Sequence, residues 1–167
     1  MQERIRRLKP GDYDFILGLN RDNIEVLSPM DEEKLAFLDA AAELPLVAEE
    51  DGSPAAFLFA LRSGIQEYDL MCYQWFSERY ADFLYIDSIV IDEKYRHMGI
   101  GRRLYRTVFD HAGRIGVDLV AAGITTEPYN EKSLRFHREN GFAEVGELLV
   151  RNGTVRVSQQ IAAVNRI

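Results

Sequence analysis

Residues 94–109 read KYRHMGIGRRLYRTVF. Gly99 and Gly101 stand one residue apart, with Lys94, Arg96, Arg102, Arg103 and Arg106 around them. An apolar, β-branched run, LYIDSIVI, precedes the pair, and a helix-like apolar pattern follows it. A glycine-rich turn between strand and helix aims several backbone N–H groups one way, and the helix dipole strengthens their pull on an anion. Gly99 and Gly101 admit its close approach and backbone angles closed to other residues. The chemistry on offer is phosphate binding, and spacing narrows it. The P-loop pattern G-x-x-x-x-G-K-[ST] fails, because Gly101 is followed by Arg102 and Arg103. The dinucleotide fingerprint G-x-G-x-x-G fails at Leu104. It fails again about 20 residues on, where an acid is wanted and the chain reads Val120, Ala121, Ala122. What stands is Arg96-x-x-Gly99-x-Gly101.

A second group of chemical interest interrupts the strand before this loop. Asp87 is an acid in an otherwise apolar run, and alternation puts it on one face with Tyr85 and Ile89. A third lies downstream, where Asn130, Ser133, Phe136 and His137 precede Gly141-Phe142. Glu78 and Glu127 are weaker carboxylate candidates, and Tyr129 is a reserve proton donor. His97, inside the loop, and His111, on the following helix, read as solvent-facing or packing residues. No metal is expected.

The elements that must position these groups follow from periodicity and turn signals. ERIRRLKP reads as a short strand halted at Pro10-Gly11, and Phe15, Ile16 and Leu19 set a helix near 11–22. Ser28-Pro29 followed by Asp31, Glu32 and Glu33 reads as the start of a second helix, ending near Ala42. LPLVAEEDGSPAAFLFALR predicts a hairpin turning at Asp51-Gly52. Residues 63–82 form an insertion in which Tyr73, Phe76, Tyr80 and Phe83 recur at helical spacing, with Trp75 beside them. This stripe suits core packing, a wall of a binding pocket or a dimer contact, and Glu67, Asp69 and Glu78 give the region acidic character. FLYIDSIVI is a strand, Gly101 to about Ile115 a helix, and DLVAAGITT another strand. Asn130–Asn140 is a short helix closed by Gly141, and GFAEVGELLV with TVRVSQQIAAV makes a final hairpin turning at Asn152-Gly153. The order β-α-α-β-β-insertion-β-α-β-α-β-β predicts a mixed α/β domain rather than a doubly wound sheet.

Composition bounds the possibilities. With 167 residues the chain suits one domain with one core. A net charge of −7 argues against a broad nucleic-acid surface. The single cysteine, Cys72, permits no internal disulfide and, among apolar and aromatic neighbours, reads as a packing thiol. MQERIRRLKP lacks the apolar centre of a signal peptide, and no run approaches the roughly 18 apolar residues of a membrane span. The expectation is a soluble cytoplasmic protein with no nucleic-acid or membrane partner.

Arg96-x-x-Gly99-x-Gly101, after a strand, resembles the acetyl-CoA pyrophosphate loop of the GNAT superfamily of N-acetyltransferases. Asn130-x-x-Ser133-x-x-Phe136-His137-x-x-x-Gly141-Phe142 resembles that family's later motif. The likeness is close over residues 84–145, the expected cofactor-binding core, and the element order extends it to a single domain over 1–167. It implies a central twisted sheet of about seven strands, flanked by about four helices, with a parallel strand pair that splays to admit acetyl-CoA. It further implies that backbone groups of Ile89 and Ile91 pair with the pantetheine arm. An N–H of Ile89 or Val90 would serve the oxyanion. Arg96, His97, Met98, Gly99, Ile100, Gly101 and Arg102 would hold the pyrophosphate, with Arg102 or Arg103 adding charge. Asn130 would reach the pantetheine, with Ser133 and Phe136 flanking the cofactor.

The implied reaction is direct attack of an amine on the thioester, with Asp87 as base or as a group binding the acceptor's ammonium. Where the family commonly carries a Tyr as acid, this chain has His137, which is expected to protonate the leaving thiolate or to pack. The acceptor is a primary amine of a small molecule, amino acid or peptide, with Asn20, Asn23 and Glu25 as contacts, and a homodimer is compatible. Two other readings stand beside this one: a CoA-binding regulatory module without turnover, and a nucleotide-phosphate binder.

Overall fold

In the computed structural model, which describes residues 3–164, the chain begins with strand β1 (Glu3–Arg7) and a 3-10 turn at Pro10–Asp12. Helices α1 (Tyr13–Asp22) and α2 (Glu32–Ala41) follow, then the hairpin β2 (Leu44–Glu50) and β3 (Ser53–Arg62). Helix α3 (Met71–Ser77) lies in the insertion, ahead of β4 (Leu84–Ile91), α4 (Ile100–Ile115) and β5 (Leu119–Glu127). Helix α5 (Glu131–Glu139) and strands β6 (Ala143–Val150) and β7 (Val155–Ala163) complete the chain. The seven strands take the order β1-β2-β3-β4-β5-β7-β6, and β4 runs parallel to β5, with Leu84–Ile86 against Val120–Ala122. The described residues hold five α-helices, one more than the resemblance implies, and the addition is α3.

Two units make up the structure, each drawn from two stretches of chain: the residues up to Leu61 with Asp87–Val108, and Arg62–Ile86 with Phe109 onward. In the first, the β2–β3 turn has φ of 50° at Asp51 and 83° at Gly52, the left-handed pair that a two-residue hairpin needs. Helix α2 starts three residues later than the Ser28-Pro29 signal suggests. Asp31 is the cap, its Oδ1 accepting the Lys34 N–H at 2.8 Å, since a carboxylate in that place satisfies a first-turn donor. Arg6 on β1 reaches both oxygens of Asp12, at 2.8 and 2.9 Å, and stands 3.2 Å from Glu49 on β2. Asp12 also accepts the Lys9 N–H at 2.8 Å. The Arg6 guanidinium holds the Asp12 carboxyl below the usual carboxylate range.

The second unit buries the insertion's aromatics. Tyr73, Phe76 and Phe83 are almost wholly buried, and Tyr73 meets Tyr68, Phe83 and Tyr85 edge-on at 4.8–5.6 Å. The Tyr73 hydroxyl donates to the Arg62 carbonyl at 2.6 Å and accepts the Ile65 N–H, so the turn entering the insertion is held by one phenol. Trp75 lies where a Cβ on residue 146 would sit, which is why β6 carries Gly146 there. Arg79 stacks on the same indole, 3.9 Å from its centroid. Of the alternatives for the aromatic stripe, Tyr73 and Phe76 take core packing. Tyr80 is only half-buried and lies past the end of α3. Cys72 is buried and not in a disulfide. Among the described residues, no helix is long and apolar enough to cross a membrane.

The Arg6–Asp12 pair carries a test. Its side chains are only 10% and 6% exposed, so removing one partner strands the other charge. Asp12→Ala is expected to lower unfolding free energy by about 3 kcal/mol in urea titrations. The double variant Arg6→Met, Asp12→Leu should recover much of it. Because the Asp12 pKa is depressed on folding, the wild type holds this contribution above the ordinary carboxylate range and loses it as pH falls through the lowered value.

Candidate active site

The loop that ends β4 has to convert an extended backbone into a helix within a few residues. It does so with left-handed residues at His97, φ 66°, and Gly99, φ 79°. For a side chain at 99 the angle is strained, and a Cβ would stand 3.0 Å from Nη1 of Arg103. Gly101, expected to share that freedom, instead lies buried in the first turn of α4. The first turn of a helix leaves N–H groups without partners inside the helix, and in α4 these are the groups of Ile100, Gly101 and Arg102.

The basic residues divide their work. Arg103 turns back and donates to the Met98 carbonyl at 3.0 Å, bracing the loop from within the helix. Arg96 also turns back, its Nε donating to the Ile91 carbonyl at 3.3 Å and its Nη2 to Asn23 Oδ1 at 3.5 Å. Arg102 is exposed on the first turn, where its charge is open to an anion. Arg96 and Arg103 thus shape the turn, and spacing in the sequence does not separate such bracing from direct charge.

Upstream on β4, burial alternates: Ser88 and Val90 are buried, while Asp87, Ile89 and Ile91 are half-buried on the other side. The Asp87 side chain itself is only 3% exposed. Its Oδ2 accepts the Ser88 hydroxyl at 3.2 Å, and its Oδ1 lies 4.0 Å from Nζ of Lys34 on α2. Lys34 carries no signal in the sequence, where it is one charge in an acidic helix start. Asn20 is buried and donates to the Ser28 carbonyl at 3.3 Å, pinning the α1–α2 loop, while Asn23 caps the end of α1. Asp87, Ile89, Val90, Ile91 and Arg96 through Arg102 all belong to the first unit.

Asn130, Ser133, Phe136 and His137 belong to the second, on and just before α5. Asn130 is the cap residue of α5, yet its side chain makes no capping bond. Ser133 and Phe136 are half-buried. His137 is buried between Phe136 and Phe142, with ring centroids at 5.3 and 5.1 Å. Its Nδ1 stands 2.8 Å from the Ser133 carbonyl, which only accepts, so Nδ1 carries the proton. Burial pushes the imidazole down to about 4, leaving the ring neutral at pH 7. A neutral ring with its proton on Nδ1 has none on Nε2 to give. Glu78 and Glu127 are solvent-exposed and sit near Arg79 and Arg156, at 3.5 Å each. Tyr129 is exposed and donates to Glu131 at 3.2 Å.

A family model described as acetyltransferase (GNAT) family matches residues 14–142. No curated protein matches the chain in sequence. Similar solved structures include Ard1 from Thermoplasma volcanium, with a TM-score of 0.81 at 15% identity over 99% of this chain and 100% of that one. NAA60 from Arabidopsis thaliana, in complex with a bisubstrate analogue, gives 0.76 at 18% identity over 99% and 100%. N-acetylglutamate synthase from Neisseria gonorrhoeae, complexed with coenzyme A and N-acetyl-glutamate, gives 0.70 at 19% over 99% of this chain and 36% of that one.

The state of His137 is measurable through stability. Its folded pKa of about 4 lies below its ordinary 6.5. Its favourable contribution is therefore complete above pH 6.5 and is lost as pH falls toward 4, because the unfolded chain takes up the proton first. Urea midpoints between pH 7 and 4 should show the wild type losing about 3 kcal/mol that His137→Phe does not lose. Parallel profiles for the two proteins would mean that the ring titrates normally.

Proposed function

The chain belongs to the acetyltransferase (GNAT) family, and on that premise we propose that it moves an acetyl group from acetyl-CoA to a primary amine by direct attack. The observation that carries this reading is a nearly buried carboxylate, Asp87, on the strand that feeds an anion-binding turn. Acetyl-CoA supplies an acyl thioester at one end and a pyrophosphate nearer the other. The residues present suit it: left-handed backbone at His97 and Gly99 feeds the α4 first turn, and Arg102 adds exposed positive charge. N–H groups of Ile100, Gly101 and Arg102 donate to the pyrophosphate, with the backbone of Arg96, His97 and Met98 shaping the approach. Backbone groups of Ile89 and Ile91 pair with the pantetheine amides, and an N–H of Ile89 or Val90 polarises the carbonyl oxygen.

The attacking amine has to be neutral. Asp87 binds it as ammonium and takes one proton, directly or through a water; as the C–N bond replaces the C–S bond, the second nitrogen proton passes to the departing CoA thiolate and gives the thiol. We assign His137 to holding Ser133 and Phe142 rather than to proton transfer, since its one ring proton is given to a carbonyl. The similarity to a synthase complexed with coenzyme A supports the choice of donor.

Release of CoA thiol from acetyl-CoA, followed with a panel of amines, tests the proposal. Asp87→Asn is expected to lower kcat by about 100-fold while leaving acetyl-CoA binding in place. Gly99→Val should raise the KM for acetyl-CoA about tenfold with a smaller change in thermal unfolding, because it strains the turn and crowds Arg103. Acetyl-CoA should raise the melting temperature where ATP and NAD do not. A thermal shift with acetyl-CoA but no release with any amine would favour the regulatory module instead.

A further inference from the structure

The ion pair between Lys34 and Asp87 is open. Its atoms stand 4.0 Å apart, beyond hydrogen-bond length, and Lys34 Nζ also makes a long bond, 3.4 Å, to the Pro29 carbonyl. The two side chains differ in access: Asp87 is 3% exposed and Lys34 24%. The neighbouring acids do not close the gap. Asp31, Glu32 and Glu33 are exposed, and Asp31 is bonded to the backbone N–H of Lys34 itself. Lys34 is the half-buried residue of that first turn, between exposed Glu33 and buried Leu35.

We propose that Lys34 is the specificity-determining residue for the acceptor, and that the acceptor is a free α-amino acid, whose carboxylate meets Lys34 while its ammonium meets Asp87. This rests on the transferase reading above and names the acceptor class within it. The geometry is a ring of alternating charge. Charge-assisted contacts of about 2.8 Å run from Lys34 to the carboxylate and from the ammonium to Asp87. An α-amino acid holds its ammonium nitrogen and a carboxylate oxygen about one hydrogen bond apart, and the 4.0 Å gap between Nζ and Oδ1 closes the fourth side. A carboxamide puts a neutral group against Lys34 and a decarboxylated amine puts nothing there. Each leaves the half-buried Lys34 ammonium with no anion closer than Asp87, 4.0 Å away.

The test uses the full chain with saturating acetyl-CoA and matched acceptors: free amino acids, their carboxamides and the corresponding decarboxylated amines. For the wild type, kcat/KM should favour the acids by about 10- to 100-fold. Lys34→Gln should bring acids and carboxamides to near parity, chiefly through KM, while carboxamide turnover persists as proof of an intact fold. Lys34→Arg should retain the preference. Equal use of acids and carboxamides by the wild type would overturn the inference and leave the transferase reading standing, as would an undiminished preference in Lys34→Gln. If no amine releases CoA, the transferase reading fails. Calorimetric titration with amino acid and carboxamide then decides the pairing at Lys34 separately, and equal or absent binding overturns it.

Discussion

The reversal between the end of β4 and the start of α4 is the constraint on which the rest of the loop around Gly99 depends. A strand must become a helix without burying unsatisfied backbone, and left-handed angles at His97 and Gly99 make the change. Once the chain turns there, the first N–H groups of α4 have no partner inside the helix, and the helix dipole reinforces them. Arg103, one turn into α4, returns to the Met98 carbonyl and locks the reversal from the helix side. Arg96 locks it from the strand side through Ile91. The same backbone choice that shapes the turn therefore leaves the N–H groups that the proposed anion site would use.

Charges in this protein fall into settings of different dielectric, and the setting decides what each can do. Arg6 and Asp12 form a closed, bidentate, nearly buried pair that ties β1 to the turn before α1. Lys34 and Asp87 form an open pair, with one member buried and the other reachable from solvent. Breaking a closed, buried pair by removing one partner strands the other charge, whereas a pair with one exposed member is cushioned by solvent. His137 is the opposite case. Ionising it would bury an imidazolium between aromatic rings, so it stays neutral and spends its proton on a helix carbonyl.

Much of this was legible in the residues. The hairpin turn at Asp51-Gly52, the Gly141 stop after α5 and the strand–loop–helix around Gly99 all follow from local backbone preference, which travels with the sequence. The start of α2 was less legible. Ser28-Pro29 reads as the start and Asp31 as an acid that follows it, and only the folded chain shows that Asp31 makes the capping bond. Gly101 looked equivalent to Gly99 because composition does not reveal which glycine carries the left-handed angle. The aromatic insertion was readable as a helix. Its burial was not, because packing depends on which partner faces it, as Trp75 does against Gly146.

By itself the sequence determined the order of elements, the glycine turn and the absence of a P-loop or dinucleotide spacing. Each of these is set by short-range sterics and hydrogen bonding along the chain. Only the tertiary structure decided that Lys34 stands over Asp87, fifty-three positions further along the chain by its numbering. Only it decided that the proton of His137 is committed, and that Arg103 braces where Arg102 is free to meet an anion. Those outcomes rest on burial and on distances between residues remote in sequence, and no local pattern encodes either.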